Sequence, residues 1–142
     1  MRILLLHSDY IEYQAIKKEI DIAEDSDTNL KRYDDVVVLF TCLESHDDEN
    51  TIKNSLSDIK SSLDNLNCNR VVVYPYSHLS DDLANASKAI SLLNQFKTSL
   101  SNEGNDVQSS PFGWNKSFTI RVKGHPLAEQ LKIITSDSTE SH

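Results

Sequence analysis

Apolar residues fall along this chain in short runs and regular steps whose period changes from place to place. Ile3-Leu4-Leu5-Leu6 is continuous and short, as in a buried strand, and the polar His7-Ser8-Asp9-Tyr10 predicts a turn that ends it. Residues 22–35 are polar and acidic without a period and predict a loop with room for a short helical turn. Val36 to Leu43 is β-branched and apolar, which predicts a central strand. Beyond an acidic turn from Glu44 to Asn50, Ile52, Leu56, Ile59, Leu63 and Leu66 recur at steps of 4, 3, 4 and 3, giving one apolar face on a surface helix. Asn67 to Asn69 ends that helix. Arg70 to Tyr74 predicts a third strand, stopped by Pro75, which has no N–H to give a ladder. Tyr76 to Ser80 then joins it to a helix expected to begin at Asp81-Asp82-Leu83 with Ser80 as its cap. Leu83, Ala86, Ile90, Leu93, Phe96 and Leu100 continue its apolar face, and the helix closes before Gly104.

The last third is organised by glycine, of which the chain has only three. Gly113 and Gly124 bracket a run in which Phe118, Ile120 and Val122 point one way and Thr119, Arg121 and Lys123 the other, the pattern of a half-buried strand. A turn carries Trp114, Asn115 and Lys116 into that strand. A second turn at Gly124-His125-Pro126 is expected to feed a short helix from Pro126 to about Ile133. Thr135 to His142 is polar and serine-rich, so the domain is placed at 1–134, with a polar tail or linker start over 135–142. Strands and helices in this order predict an α/β domain.

Composition narrows the picture. A chain of 142 residues makes one domain with a real core. The run Ile3 to Leu6 is too short to span a bilayer or to act as a signal segment, which predicts a soluble, cytoplasmic protein without a membrane partner. Cys42 and Cys68 suggest neither a disulfide framework nor a zinc site, and the five histidines lack metal-ligand spacing. The net charge of −8 argues against a protein that grips nucleic acid through a broad basic field. That charge is uneven, with −9 in residues 1–110 and +1 in residues 111–142, so an anionic ligand should be met by the C-terminal third through a few contacts. There is no dinucleotide-binding glycine fingerprint, phosphate-binding loop or nucleophile elbow. The polar residues at His7, His78 and His125 each have two readings, as ligand-facing groups or as turn residues bonded to nearby backbone.

The residues at the turns say more than the order of the elements. His7-Ser8-Asp9-Tyr10-Ile11-Glu12-Tyr13, Tyr74-Pro75-Tyr76-Ser77-His78-Leu79-Ser80, Pro111-Phe112-Gly113 through Lys116, and Lys123-Gly124-His125-Pro126-Leu127-Ala128-Glu129 occur in that order. Together they resemble the N-terminal editing domain of archaeal threonyl-tRNA synthetases, over nearly the whole chain to about Ile134. The resemblance implies a D-aminoacyl-tRNA deacylase-like fold, with layered β-sheets and helices packed on one side, usually as a homodimer. It implies hydrolysis of seryl-tRNA(Thr) with threonyl-tRNA(Thr) spared, the terminal ribose 2′-hydroxyl helping water attack, so that no protein nucleophile is needed. The family's catalytic lysine, histidine and acidic residue fall on Lys116, His78 and Glu129. Its largely main-chain substrate pocket falls on Leu43, Ser77, Phe112 and Gly113, and Asn115 stands where a tyrosine usually precedes the lysine. Editing would need no cofactor; ATP and zinc would belong to a synthetase core that these residues do not contain. The implied partners are the serine-bearing acceptor end of tRNA(Thr) and the catalytic and anticodon-binding domains, in cis or in trans. A free-standing D-aminoacyl-tRNA deacylase and a non-catalytic tRNA-binding or dimerisation module are the competing expectations, the second kept open by Asn115.

Overall fold

A computed structural model describes residues 1–137, in the order β1 (Arg2–Lys18), β2 (Lys31–Cys42), α1 (Glu49–Leu66), β3 (Arg70–Pro75), a 3-10 turn (Ser77–Leu79), α2 (Ala86–Asn102), β4 (Asp106–Ser109), β5 (Trp114–Val122) and β6 (Glu129–Ile133). One six-stranded sheet runs β4-β3-β2-β1-β5, with β6 also paired to β1. β2, β3 and β4 are parallel, joined through α1 and α2, whereas β2, β5 and β6 run antiparallel to β1. Two-residue alternation along the strands sorts the core into two sets. Ile3, Leu5, Val37, Leu39, Val71 and Val73 meet Ile52, Ile59, Leu63, Leu93, Phe96 and Leu100 of the helices. Leu6, Ile11, Tyr13, Val38, Phe40, Val72 and Tyr74 form the opposite face, with Ile120 and Val122 of β5 against it. The sheet folds over itself there: the Phe118 ring on β5 lies 5.5 Å from Phe40 on β2 and 5.4 Å from Tyr74 on β3, although β1 separates these strands in the sheet. Helices on one side and layered strands on the other agree with the expected architecture.

Four expectations from the sequence are corrected. No turn ends the first strand at His7-Ser8-Asp9-Tyr10; β1 runs on to Lys18 with register shifts between Ser8 and Tyr10 and between Ala15 and Lys17. Buried Ser8 is satisfied inside the strand, its hydroxyl donating to Leu6 O at 2.9 Å, and Ile11, Tyr13 and Ala15 keep the alternation. The loop expected over 22–35 is shorter at its end, because Lys31 to Asp34 already pair with Tyr13 to Tyr10. α2 begins at Ala86 with Asn85 accepting from Lys88 N at 2.9 Å, not at Asp81. Ser80 instead donates to Glu44 Oε2 at 2.7 Å, while Ser45 N and Ala84 N bond Asp82 O and Leu43 O, so residues 80–84 form a strap along 43–45. Leu83, expected on the helix's buried face, is exposed.

The fourth correction matters most for the site. Residues 129–133 are a strand, β6, not a helix. β5 leaves the edge of β1 near Ser8, and the rungs from Arg2 to Leu6 need another backbone partner, which β6 supplies from Ile133 to Glu129. His7 sits at this fork, donating its N–H to Ala128 O and accepting from Lys123 N, both at 2.8 Å. His125 braces the turn: its Nε2 lies 2.8 Å from His7 Nδ1, and its Nδ1 accepts from Leu127 N at 3.2 Å. The tail expected over 135–142 lies outside the described residues from Ser138 on.

α1 starts with a reciprocal cap between Asp48 and Thr51 and stops at Asn67, which takes the left-handed conformation at φ 50°. Phe96 of α2 is fully buried at the centre of the helix-side core. Phe96→Ala should lower unfolding stability by ~3–5 kcal/mol, read as a reduced midpoint in urea denaturation.

Candidate active site

The turn Pro111-Phe112-Gly113 delivers β5 into the sheet, and it is clasped by the segment that follows β1. Glu19 N donates to Gly113 O at 2.8 Å and Glu24 N to Phe112 O at 3.0 Å. In return Phe112 N donates to Glu24 Oε1 at 2.9 Å and Trp114 Nε1 to Glu24 O at 2.7 Å. Gly113 has φ +83°, and a Cβ there would stand 2.9 Å from both Ala23 Cβ and Ile20 Cγ1. Glycine is required for conformation and for space together.

Alternation along β5 then aims Lys116 to the same side as Phe118 and Ile120, into the fold. Its ammonium donates to Ser110 Oγ and to Pro111 O, each at 2.9 Å, and lies 4.3 Å from the centre of the Tyr74 ring. Two of its three protons are thereby held, and the third is left for a ligand or the ring face. Burial lowers its pKa from 10.5 to about 8, with Glu24 and Glu19 opposing the shift. The lysine is thus close to its titration point at neutral to mildly alkaline pH, as acid–base and charge-stabilising groups in active sites often are.

The facing wall comes from the carboxyl ends of β2 and β3. Thr41, Cys42 and Leu43 lead out of β2, and Tyr74, Pro75 and Tyr76 lead into the turn that holds Ser77 and His78. Tyr76 N donates to Thr41 O at 2.9 Å, and the His78 ring rests edge-on against Tyr76 at 5.1 Å. Glu44 fixes this wall from outside the cavity, bridging Ser80 Oγ and the Met1 ammonium, which also bonds Asp47 Oδ1 at 2.7 Å. Burial alone would raise the Glu44 pKa, but the hydrogen bonds from Ser80 and the ammonium hold it below the ordinary carboxylate value.

Between the two walls lies a cavity of about 510 Å³. Lys116, His78, Leu43, Ser77, Phe112, Gly113 and Asn115, all singled out from the sequence, line it. The Asn115 side chain is exposed and alternates away from that of Lys116, so the family's tyrosine position does not share the lysine's face. Glu129 is not brought to the cavity. It is exposed on β6 opposite Leu6, whereas Lys116 lies opposite Ala15, roughly 30 Å further along β1. Sequence reasoning missed Ser110 and the role of Tyr74 beneath the ammonium, and it missed Glu24, the carboxylate that clasps the turn. Tyr74 was visible as the last residue before Pro75; Ser110 and Glu24 carry no local signal. Among the described residues no group of three or more His, Cys, Asp or Glu side chains could hold a metal, and no helix is long and apolar enough to cross a membrane.

A solved structure described as the c-Myc DNA unwinding element binding protein superposes with a TM-score of 0.72 over 94% of this chain and 98% of its own, at 8% identity. The fold is α/β and D-aminoacyl-tRNA deacylase-like. Threonine–tRNA ligases of Nitrosopumilus maritimus and Methanoregula boonei are 46% and 44% identical over 98% and 94% of this chain, and that of Methanococcus aeolicus is 40% identical over 99%. In each case the chain spans 22% of the relative's length. The chain belongs to the archaea-specific editing domain of threonyl-tRNA synthetase, whose family model matches residues 1–134. Editing by such a domain is hydrolysis of mischarged aminoacyl-tRNA.

Gly113→Ala forces a side chain into the clasp at positive φ and should cost ~1–3 kcal/mol in urea unfolding. It should also lower the rate of aminoacyl-ester hydrolysis more than Gly104→Ala, a position with open space around it.

Proposed function

We propose that this domain hydrolyses the ester of seryl-tRNA(Thr) and spares threonyl-tRNA(Thr). The observation that carries the reading is the sheltered ammonium of Lys116, which shares with His78 a cavity also lined by Leu43, Ser77, Phe112 and Gly113. Threonine exceeds serine by one methyl group, worth only ~1–3 kcal/mol in an apolar pocket, so a synthetic site alone rejects serine poorly. A second site that admits the smaller side chain restores the difference. The lining backbone at Leu43, Ser77 and the Phe112-Gly113 turn is suited to that task, because main chain held in a clasp cannot step aside for a methyl group.

Ester hydrolysis needs a water placed for attack and a positive or N–H-rich environment for the tetrahedral oxyanion. Lys116 supplies the ammonium: Ser110 and Pro111 fix its direction, and low local polarity strengthens its field. His78, exposed at the cavity wall, positions substrate or water. The ribose 2′-hydroxyl of the terminal adenosine assists the water, so the reaction requires no serine or cysteine nucleophile, cofactor or metal. Glu129 takes no part within a single chain, given its place on the far arm of β1. The tRNA body, with the catalytic and anticodon-binding domains of the longer relatives, is the remaining partner, and the cytoplasm is where these meet.

A homodimer is also part of this reading. β6 is an edge strand with Leu131 at 58% and Ile133 at 60% exposure, an apolar edge that a second copy would cover. Sedimentation as a monomer at micromolar concentration would end that part of it.

The purified chain should release serine from seryl-tRNA(Thr) at least tenfold faster than threonine from threonyl-tRNA(Thr), the discrimination one methyl group can supply. Equal slow release of both would remove the reading. Lys116→Met should lower the serine rate by about 10²–10³. The wild-type rate should fall as pH rises through about 8, where the ammonium is lost, and Lys116→Arg should abolish that step. Burying the amine neutral costs less than burying it charged. Its penalty on folding is therefore absent above about 10.5, grows as pH falls from there and is complete below about 8; Lys116→Met should flatten stability between about 8 and 10.5.

A further inference from the structure

The acidic balance of the chain conceals where its unneutralised positive charge lies. Of fourteen lysines and arginines, nine have a carboxylate within 4.0 Å. Among the described residues the other five are Lys17, Lys18, Lys53, Lys88 and Lys116, and Lys88 donates to Ser45 O at 2.6 Å. Three of these five stand on one short stretch of the β1–β5 ladder: Lys116 opposite Ala15, Lys17 opposite Asn115, and Lys18 opposite Trp114. Lys17 and Lys18 are exposed. The Lys18 ammonium lies 5.9 Å from the centre of the Trp114 ring, and Trp114 and Glu19 both line the cavity. Lys18, on the Trp114 side of the strand, therefore stands at its mouth, and Lys17, opposite Asn115, stands beside it on the strand's other face, with Glu19 as a carboxylate on that rim. Asp21, the next acid along, is exposed, and Glu24 beyond it is occupied by Phe112 N and by Lys97 at 3.5 Å.

A molecule whose ester sits beside Lys116 must pass its remaining nucleotides out over this rim. On a chain of net charge −8, phosphodiesters meet repulsion nearly everywhere else. Lysines already paired with carboxylates would have to give up a partner to bind phosphate, whereas Lys17 and Lys18 would not. Trp114 adds an aromatic surface of the kind on which unpaired bases stack.

We propose that Lys17 and Lys18, with the Trp114 ring, dock the phosphodiesters of the single-stranded 3′ end of the substrate RNA. The proposal rests on the editing reading for its choice of ligand, but it is tested by binding alone. An RNA hairpin with a single-stranded CCA 3′ end and a 5′ fluorophore is titrated with the full chain at salt from 50 to 200 mM and followed by anisotropy. Lys17→Ala together with Lys18→Ala should weaken binding about tenfold at low salt and flatten the slope of log Kd against log salt by about 1.4, the release expected for two single-strand phosphates. Lys17→Arg with Lys18→Arg should bind at least as well as the natural chain, and Lys53→Ala should bind like it. Emission from Trp114, the sole tryptophan, should be quenched by the RNA. Unchanged binding by the double alanine variant overturns the proposal. So does an equal loss with Lys53→Ala, or equally tight binding of a blunt duplex without the single-stranded end. Serine release judges the editing reading and anisotropy judges this one, so either can fail while the other stands.

Discussion

β1 is a buried strand of seventeen residues, and its backbone needs partners along both edges, because an N–H or C=O left unpaired in the interior costs on the order of 1–3 kcal/mol. β2 meets that need on one side from Arg2 to Tyr13. On the other side no single strand does, and the edge is divided between β6 for Arg2 to Leu6 and β5 for Ser8 to Lys18. The division at His7 frees β5 to swing away from the flat sheet and lie over Phe40 and Tyr74. That swing is what places Lys116 above the Tyr74 ring and opens a hollow between the two layers. The site is thus a consequence of how one strand's hydrogen bonds are shared out, and the paired histidines at 7 and 125 stand where the sharing changes hands.

Lys116 is held under opposing demands. Its surroundings favour the neutral amine, yet two oxygen acceptors and an aromatic face are arranged for the cation. Full exposure would leave a flexible, water-screened charge; complete burial without acceptors would leave no charge at all. The Gly113 clasp reconciles the two, since Pro111 O and Ser110 Oγ point at the ammonium only while the turn holds its shape. Glu24 closes that clasp through its backbone and its side chain, and Lys97 anchors Glu24 from α2. Glu24 therefore bears on the lysine twice, through its charge and through where the turn lets it point.

Much of this was legible in the sequence, for identifiable reasons. The helix-side core was readable because α1 follows a clean 3.6 period and β2 and β3 are uninterrupted β-branched runs, whereas β4, Asp106-Val107-Gln108-Ser109, carries no such run and was not foreseen. Gly113 stood out because glycine is rare here and a φ of +83° leaves a real demand for it. The misreadings share a cause: local polarity was taken for a change of element. Ser8 is polar but bonded within its own strand, Ser80 and Asp82 face Glu44 and Ser45 instead of capping a helix, and 129–133 takes its conformation from a vacancy on β1 some 125 residues earlier in the chain. Glu129 was carried to the site by motif position alone. No spacing rule could have revealed that β6 turns toward the opposite arm of β1.

Under the proposed discrimination between serine and threonine, the acidity of the domain fits its task. A site that must separate two amino acids by a single methyl group gains little from a strong general hold on RNA, because binding energy common to both substrates raises affinity for each alike. What discriminates is the fit at the pocket floor. Long-range attraction would slow release of the correctly charged tRNA without improving the choice. With carboxylates spread over the surface and most of the cations paired off, the proposed docking by Lys17 and Lys18 would be local, weak and easily reversed. In such an arrangement the cognate tRNA can enter, fail to seat its ester, and leave.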